Sequence, residues 1–219
     1  MNARIQRIKV RVPSVPKKRP PVRLATTEPA PVKLTGGITA VCLASGPSLT
    51  TEDVGVVKSW RDRNLVGLVV VTNTTFRIAP WADALYAMDR KWWNQYAAEV
   101  KQNFRGGSFG PTPCAINDLR VRGVREARSR NSGAGAILLA RSRGATKIVL
   151  LGYDAQHTGG QTHWHGKHPR GLGDARSVGN WPKQFADLAI QLASIEIINC
   201  SRETSLKCWP RQTIEAVLS

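Results

Sequence analysis

The sequence predicts an α/β fold, one domain with a mostly parallel sheet, preceded by an extended basic N-terminal arm. Three observations predict it. From Gly36 onward, short apolar runs alternate with amphipathic segments, the pattern of strands joined by crossover helices. Residues 1–34 instead hold six of the 13 prolines and nine Lys or Arg against the single acid Glu28, a net of +8, which keeps a segment extended and outside a core. A length of 219 residues suits one sizeable α/β domain better than two. The arm is therefore set at residues 1–35 and the domain at residues 36–219.

The elements follow in order. Residues 38–44 form a buried first strand that runs straight into Ser45-Gly46-Pro47-Ser48. Thr50 or Thr51 then caps a helix whose first turn carries Glu52 and Asp53, the sign that the helix dipole favours. A second strand covers residues 66–72 and ends at Asn73, and a third covers residues 84–88 and ends at Asp89. Residues 90–102 make an amphipathic helix, and its Trp92, Trp93 and Tyr96 are expected to pack in the core rather than stack on bases. Residues 105–110, rich in glycine, are read as a connection, and residues 119–124 as a short strand. Asn131-Ser132-Gly133-Ala134-Gly135 opens a helix of small residues that ends at Gly144. A buried strand at residues 147–151, a helix at 182–194, a strand at 195–199 and a short helix at 213–218 complete the chain.

The formal charge is +17, and the domain alone keeps 23 basic against 14 acidic residues. Such a balance favours polyanionic partners, from nucleotide-linked small molecules to nucleic acid or anionic membrane. Seven arginines (Arg120, Arg122, Arg125, Arg128, Arg130, Arg141, Arg143) lie within 24 residues that include only one acid, Glu126, with Asp118 just before them. That face, together with the basic arm, fits nucleic acid or another polyanion. No apolar run reaches membrane-spanning length and no secretory signal is visible, so the chain is expected in a cytoplasm, a host cytoplasm if it is phage-encoded. Cys42, Cys114, Cys200 and Cys208 show no CxxC spacing and read as reduced thiols.

All four histidines, His157, His163, His165 and His168, fall in one stretch that begins just after Asp154. Imidazole titrates near neutrality and ligates metals, so proton-transfer or metal chemistry is concentrated there. In an open α/β sheet, ligands bind outside the carboxyl ends of the strands. Ser45 to Ser48, Asn73, Asp89 and residues 152–168 all sit at such ends, and the helix begun by Ser132-Gly133 should present its N-terminus on the same side. The loop of Ser45, Gly46, Pro47 and Ser48 lacks the Gly-Lys-Ser/Thr of a P-loop and the GxGxxG of a dinucleotide site. It still offers close backbone approach and a helix N-terminus for an anion.

The order Leu43-Ala44-Ser45-Gly46-Pro47-Ser48-Leu49, then Val71-Thr72-Asn73 ahead of an aromatic and Arg77, then Ser132-Gly133, then the run from Lys147 to Gly152-Tyr153-Asp154, resembles bacterial sialyltransferases of the lipopolysaccharide-capping type. It is similar also to 6-hydroxymethylpterin diphosphokinase-like proteins and to phage-encoded proteins of unknown role. The resemblance spans about residues 38–155. It implies a Rossmann-like fold and a transferase that takes a nucleotide-linked donor as substrate, namely a glycosyltransferase, with no resident cofactor. Gly46, Pro47 and Ser48 would line the nucleotide and its phosphate, with Asn73 at the phosphate or donor sugar and Ser132 with Gly133 at the ribose or sugar side. A loop histidine would be the base. That family has Asn where Ser45 stands, and tyrosines on the leaving phosphate where this chain has only Tyr86, Tyr96 and Tyr153.

Three readings of the histidine loop stay open. In the first, His163 or His165 deprotonates an acceptor hydroxyl while Asp154 orients an imidazole, and the remaining histidines with Lys167 or Arg170 neutralise a leaving diphosphate. An extended backbone would point His163 and His165 the same way. In the second, His163, His165 and His168 with Asp154 or Asp174 hold a divalent metal, giving a diphosphokinase or hydrolase. In the third, Trp164 anchors an ordered loop and the histidines only hydrogen-bond at its surface. A non-catalytic, nucleic-acid-associated protein acting through its arm is the remaining class.

Overall fold

A computed structural model describes residues 37–219, apart from Asn117, Arg170 and Asp174. The basic arm, and the roles considered for Arg170 and Asp174, lie outside the described residues. The elements run β1 (Ile38–Leu43), α1 (Thr51–Arg63), β2 (Leu68–Thr72), β3 (Ala84–Tyr86), α2 (Arg90–Asn103), β4 (Gly107–Gly110), β5 (Cys114–Ile116) and β6 (Leu119–Gly123). There follow α3 (Ser132–Ser142), β7 (Ala145–Leu151), α4 (Trp181–Gln191), β8 (Glu196–Asn199) and α5 (Ile214–Leu218). Seven strands pair in parallel in the order β6-β4-β3-β2-β1-β7-β8, and β5 adds antiparallel to the outer edge of β6. This is the Rossmann-like α/β fold expected.

Central parallel strands are covered on both faces, so they read as nearly continuous apolar runs. Alternate residues of β1 divide accordingly. Val41 and Leu43 join one buried layer with α1, α2 and α5, where Val57, Trp60, Trp92, Trp93, Val100 and Leu218 pack. Ala40 and Cys42 join the opposite layer with α3 and α4, around Ile137, Leu139, Phe185 and Leu188. Removing a fully buried leucine such as Leu43 from such a layer costs about 2–5 kcal/mol. Trp92, Trp93 and Tyr96 are core side chains, as their helical spacing predicted. Burial pushes the Cys42 thiol up to about 12 and the Cys200 thiol up to about 11.

The caps follow local chemistry. Thr50 is the N-cap of α1 and forms a reciprocal box with Asp53, whose carboxylate also takes a two-pronged pair from Arg202 at 2.9 Å. One expectation is corrected. Residues 105–110 are not merely a connection, because residues 107–110 form β4 between β3 and β6. Its glycines carry no side-chain pattern, and the ladder partners that make it a strand come from distant sequence. None of the helices among the described residues is long and apolar enough to cross a membrane.

Candidate functional site

The chain leaves β1 toward β2 on one side, while its later half places β7 on the other. The strand order thus reverses at the carboxyl ends of β1 and β7, the place where doubly wound sheets bind ligands. Backbone bonds stitch the floor of the crevice there: Ala44 N–H donates to Leu151 O and Gly46 N–H to Gly152 O, both at 2.9 Å. The lining combines Ser45, Gly46, Thr72, Asn73, Asn131, Ser132, Gly133, residues 152–156, His163, Trp181 and Phe185. Asn73 holds φ +47° and Ala155 holds φ +50°, a left-handed conformation that asparagine tolerates and alanine adopts only at a cost of roughly 1–2 kcal/mol. Strain of this kind collects at ligand sites.

The N-terminus of α3 reaches the crevice through fixed contacts. Asn131 caps it by accepting from Ala134 N–H at 2.7 Å, Ser132 Oγ accepts from Met88 N–H at 3.2 Å, and Tyr153 donates its hydroxyl to Gly133 O at 3.1 Å. Ser45 is tied down as well: its hydroxyl shares a hydrogen with Thr75 at 2.9 Å, and its carbonyl accepts from Trp164 N–H at 3.1 Å.

Asp154 does not orient an imidazole. Its carboxylate accepts from Ser48 N–H at 2.9 Å, from the Ser48 hydroxyl at 2.7 Å and from the Thr158 hydroxyl at 2.8 Å. Burial nonetheless holds its pKa above the ordinary aspartate value, outweighing those donors. Asp154 works as a clasp between loops, and Ser48 is spent on the same clasp. Neither Pro47 nor Ser48 lines the crevice.

The histidines come together differently from the extended arrangement expected. Residues 163–166 form a turn in which Gly166 N–H donates to His163 O at 3.0 Å, and the chain leaves it through Gly166 at φ +82°. The rings of His163 and His165 stack at 5.1 Å with an interplanar angle of 15°. His168 leans on both, at 4.8 and 4.9 Å. One ring nitrogen from each of the three lies within 4.8 Å of the others. His157 is exposed and stands outside this group. Trp164 anchors the turn, donating its indole N–H to Thr75 at 3.4 Å and packing edge-on against His165. Burial first, then His163, His168 and Arg77, push the His165 pKa down to about 4, so this imidazole is neutral at physiological pH and a weak proton acceptor.

A second cavity of about 590 Å³ adjoins the crevice, sharing Asn73, Asn131, Ser132, His163 and Trp181 with it. The crevice itself holds only about 90 Å³, room for a phosphate-sized group, so a nucleotide-sized ligand has to extend into the larger cavity. That cavity is basic, with Arg90, Lys91, Arg130 and Arg176 on its walls and Asp89 and His168 beside them. Asp89 is exposed there and lines no part of the crevice. Sequence reasoning missed Asn131, Trp181, Arg90, Lys91 and Arg176. Asn131 carried a signal, since an asparagine before a small-residue helix is an N-cap placed at a strand-end site. Comparison with known protein families and with curated protein sequences finds no match.

Proposed function

We propose that this chain is an enzyme that binds a nucleotide-linked, phosphate-bearing substrate across the β1–β7 switch point and transfers or hydrolyses its linked group beside residues 163–168. The supporting observation is the meeting of Ser45-Gly46, Asn73, Ser132-Gly133 and residues 152–156 at one crevice that opens into a basic cavity. In the transferase form, a glycosyl group passes from its nucleotide to an acceptor hydroxyl. Ser45, Gly46 and Asn73 then face the phosphate, and Ser132 with Gly133 the sugar side. His163, which lines both cavities, takes the acceptor proton. The metal-dependent diphosphokinase or hydrolase form has its own support: three imidazoles share one space, and imidazole nitrogen is a ready ligand for zinc-like ions.

Calorimetric titration with CMP, UDP, GDP and ATP and with their sugar conjugates tests the shared claim. At least one should bind, and Asn73→Ala with Ser132→Ala should weaken it. If none binds, the reading fails.

The arginine cluster belongs to the same phosphate chemistry. All seven of its arginines are exposed, and none forms an ion pair among the described residues. Folding adds convergence, because Arg122 from β6 and Arg143 from beyond α3 both lie over the Phe109 ring, at 5.8 and 4.6 Å. This face would carry a phosphate-bearing acceptor such as nucleic acid.

A further inference from the structure

We infer that His163, His165 and His168 together hold one divalent late first-row transition-metal ion, with zinc the ion best suited. The inference stands on side-chain geometry and selects the metal-dependent form of the proposed function, in which His163 is a ligand and not the proton acceptor; only its catalytic consequence rests on the reading of the crevice as a substrate site.

Three imidazoles from a six-residue stretch place one ring nitrogen each within 4.8 Å of the others. Nitrogens bound to a single ion at about 2.0–2.1 Å stand about 3.3 Å apart at a tetrahedral angle, so the widest pair needs to close by at most about 1.5 Å. The local fold is built for that convergence. The turn closed by Gly166 N–H on His163 O brings His163 beside His165, and Trp164 between them is pinned to Ser45 O and to the Thr75 hydroxyl. The indole also packs against the His165 ring at 5.2 Å, limiting its rotation.

Burial points the same way. The Nε2 atoms of His163 and His165 and the Nδ1 of His168 are sealed from solvent, and the Nε2 of His165 has no hydrogen-bond partner among the described residues. Such a buried polar atom costs about 1–3 kcal/mol, a penalty that a bound cation removes. A loop that merely packed its histidines would pair this nitrogen with a backbone group or leave it in water.

The donors also select the ion. All three are imidazole nitrogens, and the Asp154 carboxylate is committed to Ser48 and Thr158. Magnesium and calcium take oxygen ligands, whereas zinc, cobalt, nickel and copper accept imidazole readily. Three protein ligands leave a coordination position for water or substrate, the arrangement of a catalytic rather than a structural centre. His163 and His168 border the basic cavity with Arg90, Lys91, Arg130 and Arg176, so a phosphate oxygen drawn into that cavity lies beside the ion.

The test uses the full-length chain. After expression with added zinc and exhaustive dialysis, elemental analysis should find about one equivalent of zinc, and cobalt added to the stripped protein should give the visible absorption of a low-symmetry imidazole site. His165→Ala should drop bound zinc below about a tenth of an equivalent and weaken cobalt binding by at least roughly 100-fold, while His157→Ala keeps both. Circular dichroism establishes that His165→Ala is folded, and if it is not, a cobalt titration of the wild type competed by a chelator of known affinity decides instead. A dialysed wild type with no metal and no cobalt spectrum, or a folded His165→Ala that binds as well as wild type, overturns the inference. Nucleotide titrations of metal-free protein are scored separately: bound zinc with no nucleotide binding sinks the crevice reading and leaves the ion standing, and the reverse sinks the ion alone.

Discussion

Ser48 gives both its backbone N–H and its hydroxyl to the Asp154 carboxylate, at 2.9 and 2.7 Å, and so fastens the loop after β1 to the loop after β7. Hydrogen bonds to a charged group are worth about 1.5–3 kcal/mol each. Ser48→Ala removes one of them and should lower unfolding stability by about 1–3 kcal/mol in urea, with reduced affinity for any nucleotide that binds the crevice. Unchanged stability would mean the clasp is incidental.

The same carboxyl predicts a pH dependence. Its folded pKa lies above the unfolded value because of burial, so the linked stability is fully present below the ordinary aspartate pKa and is lost as pH rises through the folded value. The stability of wild type relative to Asp154→Asn should therefore fall as pH rises from the ordinary aspartate pKa upward through the folded one. A gap that widens with pH would contradict the direction of the shift.

Gly46 admits no side chain. A Cβ there would stand 2.1 Å from Asp154 Oδ1 and 2.4 Å from Gly152 O, and the second of these is backbone that cannot swing away. Gly46→Ala should cost about 1–3 kcal/mol and open the crevice, measured by thermal melting and nucleotide titration.

Gly135 sets two effects against each other. In a helix interior, alanine is better than glycine by about 1 kcal/mol, yet a Cβ at this position would meet the Tyr86 ring at 2.1 Å. Tyr86 is fully buried and donates its hydroxyl to Ala127 O at 2.7 Å, so it has little room to yield. Overpacking costs typically about 1–3 kcal/mol and wins, and Gly135→Ala should destabilise the chain by chemical denaturation.

Arg122→Ala, Arg125→Ala and Arg128→Ala combined should weaken binding of a short DNA duplex and flatten its dependence on salt, by up to about 0.9 in log–log slope for each phosphate that is no longer neutralised. Binding that is insensitive to both salt and these changes would remove nucleic acid as the partner of this face.

The order of strands and helices was legible because each runs on local physics. Buried parallel strands such as β1 and β7 must be apolar on both faces, and the Thr50–Asp53 and Asn131 caps announce where α1 and α3 begin. Their carboxyl-end loops followed at once, which is why Ser45, Gly46, Asn73, Ser132 and Gly133 could be named from the sequence and are found around one crevice. The strand β4 was not legible, since residues 107–110 acquire strand identity only from the edges of β3 and β6.

The sequence by itself determined that all four histidines follow the carboxyl end of β7. Only the tertiary structure decided which imidazoles share a space and what Asp154 does. Periodicity assumed an extended run through residues 163–165, but a turn pinned by Trp164 to Ser45 and Thr75 gathers His163, His165 and His168 and leaves His157 outside. Asp154, close to the histidines in sequence, satisfies its buried carboxylate with the hydroxyl and N–H of Ser48, 106 residues away. Contacts between segments so far apart are set by where the sheet delivers them, and no local pattern encodes them.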